Sequence, residues 1–174
     1  FININIIKDL ITKINNLGKF NYFIFSTPEF SKFVKKNIKN KNIHHLNNDI
    51  NYYSNLSKLD FAFACSGTVH LELSFSNIPH FIFYKANFIN YLIFKTFVKS
   101  KFLSLINIFN KKEIIKEFIQ KNFNSYDLFE NFKIFFNDNI KFNSYKKNLI
   151  NYSNKSNFKK LNRVPIIDYL KKSS

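Results

Sequence analysis

Two short runs hold the residue types that bind small molecules. The first is Cys65-Ser66-Gly67-Thr68-Val69-His70-Leu71-Glu72-Leu73, directly after the apolar run Asp60-Phe61-Ala62-Phe63-Ala64. A strand, a small-residue turn and a helix N-terminus bring backbone N–H groups and the positive end of a helix dipole to one point, where a phosphate is stabilised. Thr68 and Glu72 are four apart and share a helix face, so the carboxylate suits a ribose diol. The same residues also compose an ordinary strand-to-helix turn with a Ser or Thr cap and a solvated glutamate. The second run is Ser104-Leu105-Ile106-Asn107-Ile108-Phe109, followed by Lys111 to Gln120. Read as a helix over Lys111–Lys121, it sets Glu113, Glu117 and Gln120 on one polar face opposite Ile115, Phe118 and Ile119. Asn107, just ahead, is a cap or a ligand contact. A surface helix with Glu–Lys pairs gives the same pattern. Cys65 and His70 form a weaker candidate pair for nucleophilic catalysis.

The elements that would position these runs alternate in type. Ile4, Ile7, Ile11 and Ile14 make a helical stripe, closed by Gly18 as a helix stop. Phe20–Phe25 is a strand, and Thr27-Pro28 caps and starts a helix to about Asn37. Asn42–Leu46 is a short strand, and Asn48 or Asp49 caps a helix over Tyr52–Leu59. Asp60–Ala64 is a strand, then comes the Ser66-Gly67 turn and a helix to about Phe75. Ser76–Pro79 is a loop and His80–Tyr84 a strand. Short apolar strands in strict alternation with helices predict an α/β fold with a doubly wound parallel sheet. Its ligand lies beyond the carboxyl ends of the strands, where Ser66-Gly67-Thr68 sits. Beyond residue 86 the pattern turns helical. Asn87 to about Lys99 is an aromatic, basic helix, and Phe102–Leu105 a short extended piece. Further helices cover Lys111–Lys121, Ser125–Phe136 and Ile140–Tyr152, the last with Phe142, Tyr145, Leu149 and Tyr152 on one stripe. Ser153–Asn157 is a polar linker, and Pro165 starts a final helix.

Composition bounds the remaining readings. The 174 residues carry a formal net charge of +16, yet of 27 basic residues only Arg163 is arginine. Phe, Ile, Asn, Lys and Tyr abound while Gly, Ala, Arg and Pro are scarce. An AT-rich genome accounts for this bias, and for much of the charge, more simply than nucleic-acid binding, which relies heavily on arginine. With no methionine in the chain, Phe1 reads as the inside of an element, and an N-terminal truncation is expected. The single cysteine excludes an internal disulfide framework and a cysteine-based zinc site. His44, His45, His70 and His80 have no metal-ligand spacing with it. No cofactor or metal is expected, and no stretch is long and apolar enough for a spanning helix.

Together the two runs resemble the lipid-A-disaccharide synthase family. Ala64-Cys65-Ser66-Gly67-Thr68-Val69-His70-Leu71-Glu72-Leu73 resembles its ASGT-x-x-LE-L motif. Ile78-Pro79, Tyr84-Lys85 and the helix from Tyr91 to Lys99 follow in family order. Ser104-Leu105-Ile106-Asn107-Ile108 resembles S-L-P-N-L/I, and Glu113 to Gln120 resembles E-L/I-V-x-E-L-L-Q. Three positions depart: the family proline is Ile106, its Ala-Gly pair is Asn110-Lys111, and its usual arginine is Lys112. The resemblance implies the C-terminal, Rossmann-like lobe of a GT-B glycosyltransferase, with residues 1–152 as lobe and helical extension and 153–174 as linker and terminal helix. It implies transfer of 2,3-diacylglucosamine from UDP-2,3-diacylglucosamine to 2,3-diacylglucosamine 1-phosphate at the cytoplasmic face of the inner membrane. Ser66, Gly67 and Thr68 would meet the diphosphate and Glu72 the ribose, with Asn107, Glu113, Glu117 and Gln120 in or near the donor site. The catalytic base and the glycine-rich loop of the family would lie upstream of Phe1, so this stretch alone would bind UDP without catalysing. Phe88, Tyr91, Phe94, Lys95 and Lys99 suit an anionic bilayer surface, and the resemblance implies a homodimer contact through the region after residue 153. Other readings stay open here: a different UDP-sugar GT-B protein, a basic module for membranes or nucleic acid, or a decayed remnant.

Overall fold

The structure, a computed structural model, describes residues 4–26, 28–39, 41–46, 52–65, 69–84, 101–120 and 123–155. The class is α/β with parallel strands and C-terminal helices. In chain order the described elements are α1 (Ile4–Asn15), β1 (Tyr22–Phe25), α2 (Pro28–Asn37), β2 (Ile43–Leu46), α3 (Tyr52–Leu56), β3 (Ala62–Cys65), α4 (Val69–Phe75), β4 (His80–Tyr84), α5 (Leu105–Asn110), β5 (Glu117–Ile119), α6 (Ser125–Asn137) and α7 (Asn139–Lys155). Among the described residues the strands form a two-stranded sheet, β1-β2, and a three-stranded sheet, β3-β4-β5. The chain divides into two compact units, 1–59 with 118–142 and 60–117 with 143–174.

The first unit is organised by the isoleucine stripe. Ile11 and Ile14 are buried on α1, and Ile11 joins Val34 and Ile38 in a core that also receives Ile4, Ile7, Tyr22, Ile24 and Ile43. β1 and β2 pair in parallel from Tyr22 opposite Ile43 to Phe25 opposite Leu46. α2 begins at Pro28, where a fixed φ and a missing N–H are harmless. The Ser125 hydroxyl on α6 donates to Asp9 on α1. That bond, then Lys13 one turn along, holds the Asp9 carboxyl below its ordinary pKa. Asn124 caps α6 by accepting from the Asp127 N–H at 2.8 Å. Asp138 separates α6 from α7 and accepts from the Ile140 and Lys141 N–H groups, both at 3.0 Å.

In the second unit β3 and β4 run parallel, Ala62 opposite His80 through Cys65 opposite Phe83. The Ile82 N–H donates to Lys116 O at 2.9 Å, just ahead of β5. Leu71, Ile82, Ile106, Ile114, Ile115 and Leu149 form the core, with Phe75 and Tyr152 packed against it. Phe61, Phe63 and Phe81 meet edge to face, Phe61 and Phe81 with centroids 4.8 Å apart, the arrangement that opposed ring quadrupoles favour. Leu149 and Tyr152 thus turn the predicted stripe of α7 inward, as does Tyr145, whose hydroxyl donates to His80 O at 2.7 Å and accepts from the Lys116 N–H at 3.3 Å. Burial drives the Tyr145 pKa far above the ordinary phenol value.

α4 ends without glycine. Asn77 takes φ 58°, its N–H donates to Ser74 O at 3.1 Å, and the Ile78 N–H donates to Leu73 O at 2.9 Å. This is the Schellman pattern, with Ile78 and Leu73 both buried. α5 ends the same way at Lys111, φ 49°, whose N–H reaches Ile108 O while Lys112 N–H reaches Asn107 O, each at 3.2 Å. Lys111 stands where the resembling family has glycine. A side chain in the left-handed region costs about 1–2 kcal/mol, more than the backbone freedom that glycine loses on folding, about 0.5–1 kcal/mol. Lys111→Gly is therefore expected to stabilise the protein by about 0.5–1 kcal/mol, visible as a higher urea midpoint with an unchanged slope. A lower midpoint would show that the Lys111 side chain contributes more than its backbone costs.

The predicted helix over Lys111–Lys121 is not formed. After the left-handed turn at Lys111 the chain is irregular to Lys116 and then enters β5. The reason is local competition for backbone donors. The Ile114 and Ile115 N–H groups, which a helix would spend on carbonyls one turn earlier, both donate to the Asn107 side chain. Phe102–Leu105 is likewise shorter as an extended piece than predicted, since α5 begins at Leu105. The predicted helix over Asn87–Lys99, the Asn48 or Asp49 cap, the Thr27 cap and the helix from Pro165 lie outside the described residues.

Candidate functional site

The Ser66, Gly67 and Thr68 turn also lies outside the described residues, and so do Phe88, Tyr91, Phe94, Lys95 and Lys99. The structure does fix the turn's two flanks. β3 ends at Cys65 and α4 starts at Val69, so only those three residues connect a parallel strand's carboxyl end to a helix N-terminus. Glu72 stands in the first turn of α4, partly buried. His70 and Ser74 on the same helix are buried, with the Ser74 hydroxyl donating to His70 O at 2.6 Å.

The second run folds around Asn107, which is completely buried. Its Oδ1 accepts from the Ile114 N–H at 2.7 Å and the Ile115 N–H at 2.9 Å. Its Nδ2 donates to Ile115 O and to Glu117 Oε1, both at 2.7 Å. An asparagine amide has two donors and two acceptor sites, so all four are satisfied within the protein. Glu117 receives two more bonds: the Ser104 N–H on Oε1 at 2.9 Å and the Leu103 N–H on Oε2 at 2.7 Å. Ser104 caps α5 by accepting from the Asn107 N–H at 3.2 Å. The segment from Leu103 to Glu117 is thus a closed loop fastened by one amide and one carboxylate.

This arrangement redistributes the predicted polar face. Asn107 lies inside α5, not ahead of a helix, and its cap function belongs to Ser104. Glu117 is on β5 and turned into the loop. Glu113 is exposed in the irregular segment and lines a small cavity of about 130 Å³ with Lys112, Ile114, Lys116, Tyr145, Asn148 and Tyr152. Gln120 ends β5 with φ 53°. Glu113, Glu117 and Gln120 therefore do not share a helix face. The proline-to-isoleucine departure has a simple account. Ile106 falls in the first turn of α5, where the N–H has no intrahelical acceptor and either residue fits; Ile106 adds a buried side chain to the core.

The role of Ser104 was legible in principle, because Ser stands three residues before Asn107, the spacing of a cap to the N–H it accepts from. The Tyr145 bridge had no local signal beyond its place on an apolar stripe. Among the described residues no three His, Cys, Asp or Glu side chains converge as metal ligands, and no helix is long and apolar enough to cross a membrane.

Burial also decides the Cys65 and His70 pair. A nucleophilic thiol needs a lowered pKa, but burial pushes the Cys65 thiol up to about 11. Against an ordinary thiol pKa near 9, the thiolate fraction at pH 8 is about 100-fold smaller. Iodoacetamide should therefore label native Cys65 at least about 100-fold more slowly than the urea-unfolded chain. Equal rates would restore Cys65 as a candidate nucleophile.

Comparison with known proteins gives consistent matches. Residues 3–164 match the family described as lipid-A-disaccharide synthetase. The chain is 38% identical over 96 residues to the lipid-A-disaccharide synthase of Aquifex aeolicus (strain VF5), covering 54% of this chain and 26% of that protein. It is 33% identical over 120 residues to that of Rickettsia conorii (strain ATCC VR-613 / Malish 7), covering 67% and 25% respectively. With that of Campylobacter jejuni (strain RM1221) the identity is 43% over 79 residues, covering 43% and 22%. The matched stretch spans about a quarter of the length of these curated relatives.

Proposed function

The chain belongs to the lipid-A-disaccharide synthetase family, and from that premise we propose that it is the nucleotide-binding lobe of a GT-B glycosyltransferase. Its donor is UDP-2,3-diacylglucosamine, its acceptor 2,3-diacylglucosamine 1-phosphate, and its products the lipid A disaccharide and UDP. The observation that carries this reading is the connection from β3 to α4: three residues, Ser66, Gly67 and Thr68, between a parallel strand's carboxyl end and a helix that bears Glu72 in its first turn. Backbone N–H groups at that point stabilise the diphosphate of the leaving UDP, and Glu72 accepts from the ribose hydroxyls. The Asn107–Glu117 loop shapes the wall of the donor site. With its amide fully occupied, Asn107 acts there by holding backbone, and Glu113 and Gln120 contribute as outer polar groups.

Phe88, Tyr91, Phe94, Lys95 and Lys99 contact the anionic face of the membrane that presents the lipid substrates, and the protein works as a peripheral cytoplasmic enzyme, with a homodimer contact through the C-terminal region. In the family fold the catalytic base belongs to the other lobe, and the residues named here serve donor binding. Titration calorimetry with UDP tests the site: a saturable heat for the wild-type chain and its loss in Glu72→Ala are expected, with circular dichroism showing both folded. A folded chain that gives no heat with UDP, yet binds DNA strongly and salt-dependently, would replace this reading with that of a basic nucleic-acid module.

A further inference from the structure

α7 enters the hydrogen bonding of the sheet at one residue, Tyr145. The Ile82 N–H on β4 donates to Lys116 O at 2.9 Å, and a parallel ladder with that bond would send the Lys116 N–H straight to His80 O. The Tyr145 hydroxyl stands in its place. It accepts from the Lys116 N–H at 3.3 Å and donates to His80 O at 2.7 Å, as a phenol can do with one group. Its ring meets the wholly buried Phe81 edge to face, with centroids 6.3 Å apart, and this contact fixes where the hydroxyl lies. The chain entering β5 is therefore held one hydroxyl away from the start of β4, and the spacer belongs to α7.

The residue after Lys116 is Glu117, whose carboxylate fastens the start of α5. It accepts from the Leu103 and Ser104 N–H groups and from Asn107 Nδ2. A displacement at Lys116 thus passes through one peptide unit to the group that holds residues 103–107 in place. We propose that Tyr145 is a positioning residue for the sugar-nucleotide site, acting through Lys116 and Glu117 on the loop from Leu103 to Glu117. The proposal rests on the reading of that loop as a wall of the site. The hydroxyl is engaged by backbone on both sides, so its influence on the nucleotide runs through the loop. In Tyr145→Phe the ring contact with Phe81 is kept and the Lys116 N–H can close directly on His80 O. The number of backbone bonds is then preserved while the loop moves.

The test compares the wild-type 174-residue chain with Tyr145→Phe, both folded by circular dichroism. UDP affinity by titration calorimetry should fall about three- to thirtyfold in the variant. The amide resonances of Leu103 and Ser104, which report the two backbone bonds to Glu117, should shift in its proton–nitrogen correlation spectrum. A tyrosine that serves stability alone would lower the urea midpoint and leave those two resonances and the affinity in place, and that result would overturn the proposal. Coupling between two sites is reciprocal, so UDP should slow hydrogen exchange at the Lys116 amide of the wild-type chain. Exchange there unchanged at saturating UDP would overturn the proposal too, without requiring any variant to fold. A wild-type chain that gives no heat with UDP would remove the nucleotide-site reading and this proposal with it, whereas wild-type binding matched by Tyr145→Phe would remove the proposal alone.

Discussion

Asn107→Ala should destabilise the protein by about 3–5 kcal/mol, the largest effect of any single truncation outside the apolar core. The substitution leaves two buried N–H groups, those of Ile114 and Ile115, without their acceptor, and removes a donor from Ile115 O and from Glu117. Each buried group left unpaired costs about 1–3 kcal/mol, and water entering the vacated space recovers part of that. The total is a large share of the roughly 5–15 kcal/mol that ordinary domains possess. Asn107→Asp sharpens the test because it keeps shape and changes charge. One carboxylate oxygen still accepts from Ile114 and Ile115, but the other faces Ile115 O and the Glu117 carboxylate. Charged, it is repelled; protonated, it donates as the amide did. The Asp variant should therefore be least stable near neutral pH and regain stability relative to wild type as pH falls. Urea unfolding of the three proteins at two pH values checks this. An Ala variant within about 1 kcal/mol of wild type would mean that the loop closes without Asn107.

The second large effect is a loss of stability in mild acid, centred on His80. This residue is wholly buried at the start of β4, and its Nδ1–H donates to Ile78 O at 2.8 Å. Burial drives its pKa down to about 4; the bond to Ile78 opposes the fall and the neighbouring His70 adds to it. An unfolded histidine titrates near 6.5. Above that value both states are neutral and His80 adds no pH dependence. As pH falls below it, the unfolded chain takes up a proton that the native state refuses, so stability drops. The drop is complete near pH 4 and amounts to about 3 kcal/mol, with about 2 kcal/mol already gone at pH 5. His80→Asn keeps a donor in the Nδ1 position and removes the titration. It starts less stable at pH 7.5, from the smaller side chain, but should fall less steeply toward pH 5. Parallel pH profiles for the two proteins would place the acid sensitivity elsewhere.

The alternation of helices and strands was readable because most elements are long enough to show a period. The Ile4, Ile7, Ile11, Ile14 stripe and the apolar run His80–Tyr84 appear in the structure at or near their predicted bounds. Pro28 marked a helix start by chemistry that needs no partner. The segment from Lys111 to Gln120 was misread because its pattern is ambiguous. Glu113, Glu117 and Gln120 at spacings of four and three fit a helix face, but a short apolar run broken by polar residues fits an irregular loop entering a strand equally well. The choice was made by the Asn107 amide, seven and eight residues away in sequence, and by Ile82 donating to Lys116 O. Neither leaves a periodic trace. Asn107 itself illustrates the limit for the candidate site: a polar residue in a family motif reads as a contact for something external until its burial and its four internal bonds are seen.

The left-handed residues at the helix and strand ends have a consequence for temperature. With only Gly18 and Gly67 in the chain, the turns after α4, α5 and β5 are made by Asn77, Lys111 and Gln120, all at positive φ. Asn tolerates that region, while Lys and Gln each carry a net cost against glycine of about 0.5–1 kcal/mol. For a chain of this size each kcal/mol corresponds to about 2–4 °C of melting temperature. A chain this poor in glycine thus gives up a few degrees of its thermal ceiling without touching its core. Glycine at Lys111 alone should recover about 1–4 °C of that margin.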